Sequence, residues 1–168
     1  VLVLQLARLS GAYPIALLDV IPEKLEIAKR LGADHTFHSN DENIIEQVKR
    51  SNEGRGYDVV IECSGAIAAL DTAYKIAAPG ATLVIASVYR GGAKYELDMF
   101  TVYNRELTIK SAVLSPGLFD RSVRILNRIN FAETITAEYT LDQYEEAFAA
   151  HKSGKNMKIV LKIDPESP

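Results

Sequence analysis

The chain has no tryptophan, two methionines and a single cysteine, Cys63. One thiol cannot close an internal disulfide, so the fold must rest on packing, and this usage suits a reducing compartment such as the cytoplasm. No apolar run approaches the roughly 20 residues a membrane-spanning helix needs. Val1 to Ser10 lacks a basic leading segment, a small-residue cleavage site and an initiator methionine. Positive charge is not in excess: 19 Lys and Arg stand against 22 Asp and Glu, a net of -3, with the basic residues dispersed. That balance speaks against nucleic acid, whose binding needs clustered cations. Neither a membrane nor a nucleic acid is therefore expected as a partner. Repeats and low-complexity tracts are missing as well.

What remains is ordinary globular material: 168 residues, 48% hydrophobic and 24% charged. At that length roughly 70% of the unfolded surface can be buried, enough for a real core. The dominant rhythm is strand then helix, repeated, which points to a parallel α/β sheet. Leu2, Leu6 and Leu9 share a helix stripe that stops at Gly11. Residues 15 to 19 read as a strand, and Pro22 then opens a helix with Leu25, Ala28 and Leu31 inward and Gly32 as its cap. A short strand is expected over 34 to 38. Ser39 with Glu42 forms a capping-box pattern for a helix through Lys49, with Ile44, Ile45 and Val48 inward.

Residues 57 to 63 read as a strand whose unbroken Val59-Val60-Ile61 centre suggests cover on both faces. Ile67, Leu70, Tyr74 and Ala77 make a helix stripe ended by Pro79-Gly80, and strands follow over 82 to 88 and 107 to 114. The remainder has an α+β texture. Asp120 caps a helix through Arg128, residues 135 to 139 form a strand, and Thr140 with Gln143 opens a helix to about His151. Met157, Ile159, Leu161 and Ile163 alternate with Lys158 and Lys162, as in a strand with one wet face. Ser115-Pro116-Gly117 is the expected seam, which divides the chain into 1–114 and 115–168.

One residue asks for a chemical reason. Asp19 ends an apolar strand, and ligands of open α/β sheets bind beyond the carboxyl ends of strands. Ser64-Gly65 and Ser87 should line the same rim. A carboxylate there accepts both hydroxyls of an adenosine ribose and repels a 2'-phosphate, which favours NAD over NADP; the plainer reading is an acid that starts a turn. In the dinucleotide fingerprint such an acid falls about 20 residues after a glycine loop. Counting back from Asp19 puts the last glycine at or just before Val1. The pattern therefore reads as N-terminally truncated, with residues 2 to 9 as the helix that receives the pyrophosphate. A missing first, central strand would leave residues 15 to 19 and 57 to 63 each with an unpaired edge.

The stretches LLDVIPEKLEIAKRLGADHTF, YDVVIECSG, APGATLVIAS, NRELTIKSAV and SGKNMKIVLKI, in this order, resemble the C-terminal half of medium-chain, zinc-type alcohol dehydrogenases. The polyol (sorbitol-like) and threonine dehydrogenases are the most similar branches. The resemblance implies a Rossmann-type doubly wound sheet and a C-terminal segment that rejoins a catalytic domain. It implies that Asp19 and Lys24 meet the adenosine ribose and that Ser64 borders the adenine side. Ala86, Ser87 and Val88 would meet the nicotinamide carboxamide through their backbone. Ala112, Val113 and Leu114 would provide a second backbone contact, and Lys158 would approach the pyrophosphate. Some polyol dehydrogenases carry an Arg where this chain has Leu114, which departs from a strict sorbitol-dehydrogenase pattern.

The implied activity is NAD-dependent oxidation of a small polyol or secondary alcohol by hydride transfer. Zinc would be held by ligands outside this chain, and a homo-oligomer would form through the strand near 107 to 114. The alternatives are an S-adenosylmethionine-dependent methyltransferase, which also uses an acid after its second strand, and a non-catalytic NAD-sensing module. Other groups are expected to be structural. His35, His38 and His151 lack further ligands for a metal, Cys63 reads as a small buried side chain, and Asp58 and Glu62 read as solvated or salt-bridged acids. Tyr89 and Arg90, before Gly91-Gly92, either touch the nicotinamide side or belong to a solvated loop. No catalytic constellation is assembled within the chain.

Overall fold

The computed structural model describes residues 1–113 and 117–163. The chain falls into two compact units, Val1–His38 with the described residues from Ser122 onward, and Ser39–Arg121. Among the described residues every strand pairing is parallel, as strand–helix alternation demands.

In the first unit α1 (Leu2–Leu9) leads through Gly11 (φ 82°) to β1 (Ala16–Asp19), α2 (Pro22–Arg30) and β2 (His35–His38). Pro22 fits the first turn of α2, Glu23 lies at its N-terminal end, and Lys29 and Arg30 at its C-terminal end, each favourable to the helix dipole. Leu25 and Ala28 are buried beneath it, and Gly32 adopts the left-handed conformation just past its end (φ 99°). Arg8 donates to the Gly32 carbonyl at 2.5 Å and to Asp34 Oδ1 at 2.8 Å, while Asp34 Oδ2 accepts the Ile15 N–H at 2.7 Å. One carboxylate thus joins α1, the start of β1 and the turn before β2. The expected stripe on α1 is corrected: Leu2, Leu6 and Leu9 are 36–44% exposed, and Leu4 and Gln5 are the buried pair. Gln5 explains the choice of face, because its amide exchanges two hydrogen bonds with the backbone of Asn130 (3.2 and 2.7 Å).

Further along the same unit, β6 (Ile135–Thr140), α7 (Tyr144–Lys152) and β7 (Lys158–Lys162) form a parallel β–α–β unit. The Thr140–Gln143 box forms, with Gln143 Oε1 accepting from the Thr140 N–H at 3.0 Å and from its hydroxyl at 3.2 Å. The alternation expected in β7 is blurred, since Val160 is half-buried and Leu161 is exposed.

The second unit runs α3 (Ile44–Arg50), β3 (Tyr57–Glu62), α4 (Ile67–Ile76), β4 (Ala77–Ile85), α5 (Met99–Asn104) and β5 (Thr108–Ser111). Its sheet has the order β3-β4-β5, with α4 packed on β3 and β4 and α3 on α4. Its own core is centred on Val48, Ala81 and Leu83, each at most 1% exposed. Three readings change. The Ser39–Glu42 box does not start α3; Asn43 turns the chain left-handed (φ 57°) and the helix begins at Ile44. α4 ends at Ile76, and Pro79-Gly80 lies within β4. Asp120 sits inside the first turn of α6 (Leu118–Ile125) rather than capping it.

β3 is covered on one face alone. Val60 is 8% exposed, but Val59 is 58% and Ile61 39% exposed. Among the described residues β2 is the only strand partner of β1, and β4 the only one of β3, so each keeps one unpaired edge. Leu114 and the seam residues Ser115 and Pro116 lie outside the described residues.

Candidate cofactor-binding site

Residues just past the carboxyl ends of β3 and β4 converge on one side chain, Glu62. Strand alternation puts Val60 and Glu62 on the same covered face, and Glu62 is 4% exposed. Its Oε1 accepts the Ser64 N–H and hydroxyl, each at 2.6 Å, and the Gly65 N–H at 3.1 Å. Oε2 accepts the Tyr89 hydroxyl at 2.5 Å and the Ser87 hydroxyl, with the Gly65 N–H also at 3.3 Å. Burial favours the neutral acid, yet the Ser64, Ser87 and Tyr89 donors outweigh it and hold the carboxyl below its ordinary value of 4.5. Tyr89 is shifted the other way, pushed up first by burial and then by the carboxylate.

The expectation that Glu62 is a solvated or salt-bridged acid is therefore overturned: its partners are neutral donors. Asp58 does match that reading, exposed and 3.9 Å from Arg55. Cys63 is corrected too. It follows Val59 and Ile61 on the open face and is exposed. Surrounding chain and then the Glu62 charge push its thiol up.

The strand-end residues named from the sequence lie at the ends of β3, β4 and β5. Ser64 hydroxyl donates to Glu62 and accepts the Ala66 N–H at 3.2 Å. The Ala86 N–H donates to the Glu62 carbonyl at 2.8 Å and the Ala112 N–H to the Ile85 carbonyl at 2.9 Å, so each ladder continues one step past its strand. Val88 and Val113 are 94% and 83% exposed. Gly65 has φ 75°, and a Cβ built there would stand 2.5 Å from the Val88 carbonyl oxygen. The loops after β3 and β4 are pressed together where only glycine fits. Tyr89 belongs to this clasp and not to a solvated loop; Arg90 is exposed.

Asp19, Lys24 and Lys158 belong to the other unit. Asp19 is half-buried at the end of β1, and its Oδ1 accepts the Ile21 N–H at 3.0 Å, the turn-forming role. Its second oxygen has no partner among the described residues. Lys24 is half-buried in the first turn of α2, and Lys158 is exposed at the start of β7.

No three His, Cys, Asp or Glu among the described residues are grouped to hold a metal. His35 stacks with Phe37, and His38 Nε2 lies 3.0 Å from the Val20 carbonyl. These donors do not make a zinc site. No helix among the described residues is long and apolar enough to cross a membrane.

Parallel strands alternating with helices, with polar groups gathered at the strands' carboxyl ends, define the Rossmann-type class of α/β proteins. The model of the zinc-binding dehydrogenases matches residues 1–129. An alcohol dehydrogenase of Cupriavidus necator is 31% identical over 95% of this chain and 44% of its own length. The L-threonine 3-dehydrogenase of Pyrococcus abyssi is 29% identical over 95% and 47%. Among solved structures, a putative zinc-binding dehydrogenase from Clostridium scindens superposes with a TM-score of 0.90 at 34% identity, covering 96% of this chain and 46% of that one. Another, from Sinorhizobium meliloti and bound to NADP, gives 0.86 at 26% identity, covering 95% and 48%. The chain belongs to the zinc-binding dehydrogenase family. It spans about half the length of the curated relatives it matches.

Proposed function

We propose that this chain is the cofactor-binding part of an NAD-dependent dehydrogenase that oxidises a small polyol or secondary alcohol. Bound NAD supplies the hydride acceptor. In this reading residues 1–114 bind the dinucleotide and 115–168 rejoin a catalytic segment. Asp19 and Lys24 hold the adenosine ribose and Ser64 the adenine side. The backbone of Ala86–Val88 and of Ala112–Leu114 meets the nicotinamide, and Lys158 approaches the pyrophosphate. Zinc enters the reading only through ligands outside this chain, and no step here is assigned to it. A cytoplasmic location agrees with the single unpaired thiol. Assembly through β5 agrees with that strand's pairing on one side alone among the described residues; a solution mass of one chain per particle would remove it.

The observation that carries the choice of cofactor is Asp19. One carboxylate oxygen is tied to the entry of α2, which fixes the side chain, and the other is left to accept. A fixed carboxylate suits a ribose diol and repels a 2'-phosphate. The dinucleotide in the Sinorhizobium meliloti neighbour is NADP, so the acid at position 19 is the residue to test. Fluorescence titration should show NADH bound more tightly than NADPH. Asp19→Asn should weaken NADH by about tenfold, the scale of one charge-assisted hydrogen bond, with no loss for NADPH. Equal affinities in the unaltered protein would refute the NAD assignment. Preferential binding of S-adenosylmethionine would refute the dehydrogenase.

A further inference from the structure

Glu62 is a buried anion with no Lys, Arg or His paired to it among the described residues. Its charge is held by hydroxyl and backbone donors alone, an arrangement that keeps it ionised at neutral pH. Two consequences follow from carboxylate chemistry. An ionised carboxylate only accepts, so Ser87 and Tyr89 must each point their single hydroxyl proton inward at it. Their lone pairs are then all they can offer to anything bound at the strand ends. The charge itself also lies close behind the Ala86–Val88 backbone, where burial keeps salt from screening it. A group meeting this surface has to bring N–H donors and no negative charge. A carboxamide satisfies both conditions, and a carboxylate satisfies neither.

We propose that Glu62 is a specificity-determining positioning residue, which acts through Ser87 and Tyr89 to make this rim select a carboxamide-bearing ring over the same ring bearing a carboxylate. The inference rests on the reading that Ala86–Val88 meet the nicotinamide. Gly65 contributes by allowing the two loops the close approach that brings Ser64, Ser87 and Tyr89 onto one carboxylate.

The test compares NAD with nicotinic acid adenine dinucleotide, each competing against NADH fluorescence on the purified protein and on Glu62→Gln and Ser87→Ala. The unaltered protein should prefer NAD by about tenfold or more, the scale of a like-charge pair several ångströms apart at the effective dielectric of a protein site. Glu62→Gln removes the charge and lets the Ser87 and Tyr89 hydroxyls turn outward, so the ratio should shrink to within about threefold. If Glu62 merely held the loops together, its loss would weaken both dinucleotides alike. An unchanged ratio therefore overturns the proposal. Should Glu62→Gln fail to fold, Ser87→Ala carries the test: a narrowed ratio supports the proposal and an unchanged one overturns it. NADH bound with no preference over the acid dinucleotide removes this inference alone. No NADH binding at all removes the proposed function with it.

Discussion

Gly65 shows how much one missing methyl group can decide. Its φ of 75° is costly for other residues, and its ideal Cβ position is 2.5 Å from the Val88 carbonyl oxygen, a backbone atom that cannot swing aside. Gly91 has neither constraint, with ordinary backbone and nothing within 4 Å of a Cβ. Gly65→Ala should therefore destabilise the protein by about 1–3 kcal/mol, while Gly91→Ala should stay within about 0.5 kcal/mol, read from urea midpoints. Equal shifts would show that the loop after β4 yields easily. The residues of the candidate site were unevenly legible in the sequence. Asp19 stands out in the sequence as an acid that ends an apolar strand, and the structure puts it at the end of β1. Glu62 has a similar place but was read as a solvated acid, because the run Val59-Val60-Ile61 hid which face is covered. The signal available was parity: Glu62 stands two residues from Val60, and Ser64-Gly65 supplies donors just behind it. Nothing local announced that Ser87 and Tyr89, 25 and 27 positions away, would donate to it.

Elements were legible where local chemistry and packing agree. Pro22, the Leu25–Ala28 spacing and Gly32 all mark one helix, and α2 spans the residues they bracket. The two capping-box patterns show the limit. Thr140 leaves β6 in extended backbone (φ -77°, ψ 166°) and meets Gln143, whereas the left-handed Asn43 delays α3 past Ser39 and Glu42. A four-residue pattern does not fix the backbone between its ends. β3 fails differently, since three β-branched residues in a row look alike in sequence but are not alike in burial. Val60→Ala should cost about 1–3 kcal/mol through lost burial and a residual cavity. Val59→Ala should cost well under half of that in the same chain, because Val59 is already 58% exposed. Chemical denaturation of the two variants side by side would decide it, and equal losses would mean that Val59 is covered in solution.

At the scale of the whole molecule, each unit depends on a carboxylate that folding makes more acidic. Asp34 is held below its ordinary 3.8, with the Arg8 hydrogen bond outweighing desolvation. Glu62 is held below 4.5 by its hydroxyl donors despite burial. Both groups bind protons more readily in the unfolded chain. Their stabilisation is full above the unfolded values and is lost as pH falls through the still lower folded ones. Tyr95 acts in the opposite direction. Its hydroxyl donates to Asp71 Oδ1 at 3.0 Å, and burial followed by the Asp71 carboxylate raises it from 10.0 to about 12. The folded state keeps that proton longer, so this contribution is full below the unfolded value near 10 and disappears as pH rises toward 12. Stability should therefore plateau between about pH 6 and 9 and fall on both sides. Urea midpoints collected across this range test each limb separately. Glu62→Gln should flatten the acid limb more than the alkaline one, which loses only the share of Tyr89 that the carboxylate raises. Tyr95→Phe should flatten the alkaline limb more than the acid one, which loses only its help to Asp71. An acid limb as steep in Glu62→Gln as in the unaltered protein would mean that the Glu62 carboxylate is not ionised in its buried clasp, and the selectivity argued for that residue would fail with it.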